Sequence, residues 1–214
     1  MLHEGRPSAQ LKEWTDRLAP VVAKAQAILS AADPAKLARR SGCDRHSDGS
    51  LRLAFFGQEL AISAGEFVVS RADSGEPASS FTSSVVLTYL ATADGTTPSG
   101  RWIGFRELPN GLFYADAFQG YSGARLVREL QGGVEAFRSA AEALGGQEVE
   151  IGDAGYAFPA LPRVRLALAF WEGDEELAAQ ARVLFEDSAA LYMPTDGLAI
   201  LGSPLVGRLL KAAG

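Results

Sequence analysis

The stretch that decides the fold is LRLAFFGQELAIS, which occupies residues 51–63. Two short apolar runs, at residues 51–56 and 59–63, meet at Gly57, and a tight turn between two such runs is typical of a β-hairpin. A third run at residues 67–70 predicts a strand that extends the hairpin. We therefore expect an antiparallel β-meander in the first half of the chain.

Helical patterns lie on both sides of this meander. Before it, apolar residues three and four apart predict a helix over residues 11–29, and Asp33-Pro34 begins a second helix that Gly42 ends. Later helices are predicted over residues 80–91, in two pieces within residues 122–144, and from residue 194 onward.

Three more strands are predicted, at residues 101–108, 148–151 and 164–171. Because strands and helices do not alternate regularly, the predicted class is α+β, a single domain in which an antiparallel β-meander packs with helices. We assign residues 1–40 to N-terminal helices that pack on the main domain and residues 41–214 to the α+β domain itself.

Composition excludes several kinds of protein. The 214 residues include one cysteine, which rules out an internal disulfide framework, and carry a formal net charge of -6, which argues against nucleic-acid binding. No apolar run approaches the roughly 20 residues that a membrane span needs, and no signal peptide is visible. We expect a soluble cytoplasmic protein without a membrane or nucleic-acid partner.

A block of mixed chemistry, RWIGFRELPNG, covers residues 101–111. On a strand, Trp102 and Arg106 would share one face, where an arginine beside an aromatic ring can hold a carboxylate or phosphate. A structural ion pair is the alternative. The predicted ligand-binding residues are Trp102, Arg106, Glu107, Trp171, Asp174, Glu175 and Tyr192.

Acidic residues are dense between Glu172 and Asp196, with Arg182 as the single base among them. Carboxylates in such numbers can hold a divalent cation or act as acid and base, and a solvated acidic face is the alternative. Asp174, Glu176 and Asp187 are the candidate metal ligands.

Several blocks of the chain, taken in order, resemble the bacterial and archaeal family called domain of unknown function 3786. The blocks run from residue 41 to about residue 210 and include LRLAFFGQELAIS, VVLTYL, GRWIGFRELPNG, ALPRVRLALAFWEGDEE and VLFEDSAALYMPTD. The resemblance implies an α+β domain found mostly in anaerobes, associated with corrinoid, iron–sulfur and one-carbon proteins, and without an established activity. The chain departs from the family pattern at Thr88, Leu177 and Thr195.

Three hypotheses of function follow. The first is a binding or accessory module for a small anionic or tetrapyrrole/corrinoid-related ligand, lined by aromatic residues and arginine. The second is an enzyme on a small polar substrate, with Asp174 or Glu175 as acid/base or cation ligand and Arg106 as substrate clamp. The third is a protein–protein interaction domain. The cofactor, if there is one, is not indicated by any motif.

Overall fold

A computed structural model describes residues 9–214, with side chains from residue 19 onward. Helices and two antiparallel sheets make up the chain, which confirms the predicted α+β class. The chain divides into two compact units, the first ending at Gly95 and the second covering Thr96–Gly214. The predicted assignment of residues 1–40 and 41–214 stays a prediction. No helix in the described part of the chain is long and apolar enough to cross a membrane.

The first unit contains three helices and a four-stranded sheet. Helix α1 packs against α3, and the sheet has the order β1-β2-β3-β4 with every neighbouring pair antiparallel. Its elements are α1 (Ala9–Ser30), α2 (Pro34–Ser41), β1 (Asp44–Arg45), β2 (Leu51–Phe55), β3 (Gln58–Ile62), β4 (Val69–Arg71) and α3 (Ser80–Thr92). The predicted meander and all three predicted helices of this region are confirmed.

Local chemistry explains why these elements begin and end where they do. The Asp33 side chain accepts a hydrogen bond from the Lys36 amide at 2.9 Å, and Gly42 ends α2 with a left-handed φ of 68°. Between β2 and β3, Phe56 and Gly57 both have positive φ, 46° and 77°, as a two-residue hairpin turn requires.

The second unit surrounds a five-stranded antiparallel sheet of order β5-β9-β8-β7-β6. Its strands are β5 (Trp102–Gly104), β6 (Gln147–Glu148), β7 (Ala154–Leu161), β8 (Val164–Trp171) and β9 (Gln180–Glu186). Its helices are α4 (Ala115–Tyr121), α5 (Gly123–Glu129), α6 (Gly133–Ala143) and α7 (Thr195–Ala213), with 3₁₀ turns at Phe105–Glu107, Gly111–Tyr114 and Asp187–Leu191.

The two faces of this sheet differ in character. One face packs on the helices: Phe170 of β8 stacks on Phe137 of α6, with ring centroids 5.5 Å apart, and Tyr156 of β7 meets the same ring edge-on. Side chains alternate along a strand, so the pairing of β8 with β9 puts Trp171 and Arg182 together on the opposite face. That face carries the aromatic and cationic residues of the candidate site.

Two predictions for this unit are corrected. The strand predicted over residues 101–108 stops at Gly104, because the Glu107 side chain accepts a hydrogen bond from the Gly104 amide at 2.7 Å and closes a 3₁₀ turn. Arg106 therefore does not continue the strand face of Trp102. Strand β6 covers only Gln147–Glu148, so the strand predicted to reach residue 151 is also too long.

Candidate functional site

The candidate site is a cleft of about 680 Å³ where the short strand β5 ends. Strand β5 pairs only with the last residues of β9, so the rest of that edge of β9 is open to the cleft and to α4 and α5. We call it the arginine–tryptophan cleft, after the residues that characterise its lining: Trp102, Arg106, Glu107, Asp116, Trp171 and Arg182.

The wall formed by α4, and the start of α5 that follows it, are held tightly against β9. The Gln119 side-chain amide donates to the Ala181 carbonyl at 2.8 Å. Gly123 comes so close that a Cβ atom there would lie 2.0 Å from the same carbonyl oxygen, so no larger residue fits without a shift of the backbone. These contacts fix the position of the cleft wall relative to the sheet.

Two arginines stack on the two tryptophans of the sheet face. The guanidinium carbon of Arg182 lies 5.6 Å from the Trp171 ring centroid, and that of Arg165 lies 5.5 Å from the Trp102 ring. Each contact is a cation–π interaction, and such contacts are worth about 0.5–1 kcal/mol at exposed sites. The contact with Trp171 favours this position of the exposed Arg182 guanidinium, and none of its N–H groups is taken up by an ion pair.

Arg182 has carboxylates nearby, since Asp153, Glu172 and Asp174 line a smaller cleft beside it, but none of them pairs with it. Among residues 19–214, no carboxylate forms an ion pair with Arg182, whose side chain contacts the Trp171 ring. Arg106, the second cation of the cleft, reaches Asp116 at 3.4 Å, with the two side chains 65% and 98% exposed. An exposed pair of this kind contributes little and exchanges readily with a competing anion.

Four of the seven predicted ligand-binding residues come together here: Trp102, Arg106, Glu107 and Trp171. Glu107 is already engaged by the Gly104 amide, so its role in the structure is to cap the 3₁₀ turn. Arg182 is not among the predicted ligand-binding residues. Its place on the outward face of β9 follows from the two-residue alternation of that strand, and this alternation is the signal that could have found it.

The remaining three predicted residues lie elsewhere. Asp174 lines an adjacent cleft of about 370 Å³ that shares Trp171 and Arg182 with the first. Its carboxylate accepts the amides of Leu177 and Glu176, each at 2.8 Å, and these bonds hold the pKa of Asp174 below its ordinary value. It thus closes the turn between β8 and β9.

Glu175 is exposed in the same turn, outside both clefts. Tyr192 is buried, and its hydroxyl donates to the Thr96 carbonyl. This tyrosine therefore packs in the interior instead of lining either cleft.

The candidate metal ligands do not converge. Asp187 accepts hydrogen bonds from Ser99 at 2.7 Å and Arg101 at 3.0 Å, which keep the pKa of Asp187 low, whereas Asp174 and Glu176 lie in the turn before β9. Within the described residues, no group of three or more histidine, cysteine, aspartate or glutamate side chains is arranged to hold a metal ion.

Comparison with known proteins shows the family of the chain. The sequence profile of the family described as Domain of unknown function (DUF3786) matches residues 33–208, and the chain belongs to that family. The resemblance noted from the sequence blocks is thereby confirmed. No curated protein and no solved structure matches the chain.

Proposed function

We propose that this protein is a binding module for a small anionic ligand, which it holds in the arginine–tryptophan cleft. One observation carries the proposal: Arg182 is stacked on Trp171 in an open cleft, and no described carboxylate pairs with it. A guanidinium that contacts an aromatic ring and has no ion-pair partner is suited to bind a carboxylate or phosphate through two parallel hydrogen bonds.

The rest of the cleft supports a ligand that also has a flat group. Trp102 and Trp171 provide aromatic surface, and a volume of about 680 Å³ falls within the roughly 300–1,000 Å³ usual for small-molecule sites. Arg106 can contribute a second positive charge once an anion displaces Asp116 from it. An aromatic carboxylate combines both features and is the ligand class that we favour.

The test begins with the purified protein itself. Native mass spectrometry, an absorption spectrum and metal analysis show whether a ligand or a tetrapyrrole accompanies the chain. Calorimetric titrations with benzoate and with inorganic phosphate then measure anion binding directly. We expect benzoate to bind more tightly than phosphate because it can also use the tryptophan surface.

The decisive variant is Arg182→Gln, which removes the charge and keeps much of the length of the side chain. Loss of a charge-assisted hydrogen bond should weaken benzoate binding by about tenfold or more. Arg128→Gln is the matched control, since it makes the same change of charge at a 65% exposed residue of α5 that lies outside the cleft. Equal affinity in both variants, or no anion binding by the parent protein, would overturn the proposal.

The other hypotheses stay predictions. The bonds of Asp174 to backbone amides account for that carboxylate without a catalytic role, so the geometry does not favour the enzyme over the binding module. A tetrapyrrole would be revealed by its absorption band in the same first measurement. A partner protein would appear as co-purifying mass.

A further inference from the structure

A second cleft, of about 610 Å³, lies on the other side of Phe105, between the 3₁₀ turn Gly111–Tyr114 and the start of α7. We call it the tyrosine cleft. The residues that give it its chemistry are Phe105, Asn110, Tyr114, Tyr121, Thr195 and Asp196. Its other lining residues are proline, alanine and isoleucine, so most of the wall is apolar.

Three aromatic rings stand next to one another in this cleft. The Tyr114 centroid lies 6.4 Å from that of Phe105, with the rings edge to face, and 6.2 Å from that of Tyr121. The Tyr121 hydroxyl donates to the Ala199 carbonyl of α7 at 3.3 Å, which fixes that ring. Burial raises the pKa of Tyr121 to about 12, so its hydroxyl stays protonated even well above physiological pH.

The charge of the cleft has one sign. Asp196 is the single charged side chain among the described residues that line it. One of its oxygens accepts the Gly197 amide at 2.9 Å, and no lysine or arginine of the described chain forms an ion pair with it. The cleft therefore combines several aromatic rings with one carboxylate and no cation.

We infer that the tyrosine cleft binds an organic cation with an alkylated ammonium head. Such a head is weakly hydrated, so apolar walls can surround it, and the electron-rich faces of neighbouring aromatic rings attract it. The carboxylate of Asp196 adds attraction for the charge and repels anions. A metal ion would need several oxygen ligands in place of its water, and this lining offers too few carboxylates for that purpose.

This inference is independent of the anion-binding proposal. The two clefts share Phe105, but the arginines that define the first do not line the second. Either site can therefore fail its test while the other passes.

The test compares choline with 3,3-dimethyl-1-butanol, which has the same shape and no charge. Calorimetric titration of the full chain should show choline binding at least about fivefold more tightly than the alcohol, because only choline gains the cation–π and carboxylate attraction. Tetramethylammonium, which is the head alone, should bind as well. Equal affinity for choline and the alcohol, or no binding of either ammonium ion, would overturn the inference.

Two variants locate the site. Tyr114→Leu removes a ring that is 51% exposed, and Asp196→Asn removes the charge without a change of shape. Each variant should weaken choline binding at least about fivefold. Asp116→Asn is the matched control because it loses the same charge in the other cleft, and it should leave choline binding unchanged. Thermal melting of each variant verifies that it folds. Equal losses in Asp196→Asn and Asp116→Asn would contradict the assignment.

An alkylammonium head can belong to a free metabolite or to a methylated lysine of a protein. A short peptide with trimethyllysine distinguishes these sources in the same titration. Tighter binding of the peptide than of choline assigns the head to a protein side chain, and weaker binding assigns it to a small molecule. In both cases the neutral alcohol must bind more weakly than the cations.

Discussion

The two clefts of the second unit have nearly equal volumes, about 680 and 610 Å³, and differently charged linings. The first is lined by two arginines, Arg106 and Arg182, together with two carboxylates, and the second has tyrosines beside a single aspartate. Both use Phe105 as a wall. Aromatic surface is common to both clefts, so the few charged side chains that border it distinguish the ligands that we propose for each.

The shared wall depends on one tight turn. The Phe105 ring stacks on Phe118 of α4, with centroids 4.3 Å apart, and the chain then reverses at Gly111. A Cβ atom at Gly111 would lie 1.9 Å from the Phe105 carbonyl oxygen, so only glycine permits this approach. The same turn thus holds Phe105 between the clefts and presents Tyr114 to the second of them.

Removal of the Phe105 ring, which is the wall common to both clefts, should have the largest effect on the free energy of unfolding. Phe105 is 5% exposed, and Phe105→Ala should lower the free energy of unfolding by about 3–5 kcal/mol, as for other buried phenylalanines. It should also weaken both benzoate and choline binding. Urea unfolding and the two titrations measure these effects.

Phe113→Ala is the control for this prediction. Phe113 belongs to the same turn region and is 89% exposed, so its loss should change the free energy of unfolding by less than about 0.5 kcal/mol. If Phe105→Ala weakened binding in one cleft and spared the other, the two clefts would not depend on a common wall.

The sequence predicted the elements whose signals are local. The hairpin around Gly57, the cap at Asp33 and the end of α2 at Gly42 each depend on residues within a few positions of one another. By contrast, β7 is not among the predicted strands, and its sequence contains Pro159, which cannot donate to a ladder and so weakens the strand pattern. In the structure Pro159 lies where the pairing of β7 with β8 shifts register, which is a place that tolerates it.

The candidate site was predicted only in part, because some of its contacts join residues that are far apart in the sequence. The mixed chemistry of residues 101–111 and the acidic stretch after Trp171 pointed to Trp102, Arg106 and Trp171, and these do line one cleft, although Arg106 is not on the strand face predicted for it. Tyr192 could not be separated from them, since its partner, the Thr96 carbonyl, is 96 residues away in the sequence. Arg182 was counted as the lone base in an acidic stretch, because strand β9 and its partner across the sheet were not recognised.

The ionisation of Tyr121 should respond to a ligand in the tyrosine cleft and not to a ligand in the other cleft. Its pKa is raised to about 12, and a bound cation stabilises the phenolate, so saturating choline should lower the pH at which Tyr121 ionises by up to about one pH unit. By linkage, choline binding should strengthen as the pH approaches that value. Saturating benzoate, in the other cleft, should cause no such decrease.

Spectrophotometric titration of the phenolate band gives the measurement, and Tyr121→Phe identifies the band that belongs to this residue. A shift with benzoate as large as that with choline would show that the effect is not specific to the tyrosine cleft. An unchanged titration in saturating choline would place the cation away from Tyr121.

The smallest expected effect concerns Asp116, which competes with a ligand for Arg106. The two side chains are 3.4 Å apart and largely exposed, so their ion pair is worth at most about 1 kcal/mol. Asp116→Asn frees Arg106 and should tighten benzoate binding by about two- to fivefold, with little change in the free energy of unfolding. The gain should shrink as salt is added, because exposed charges are screened.

Choline binding should not change, since Asp116 does not line the tyrosine cleft. A weaker affinity for benzoate in Asp116→Asn would mean that this carboxylate orients Arg106 for the ligand instead of competing with it.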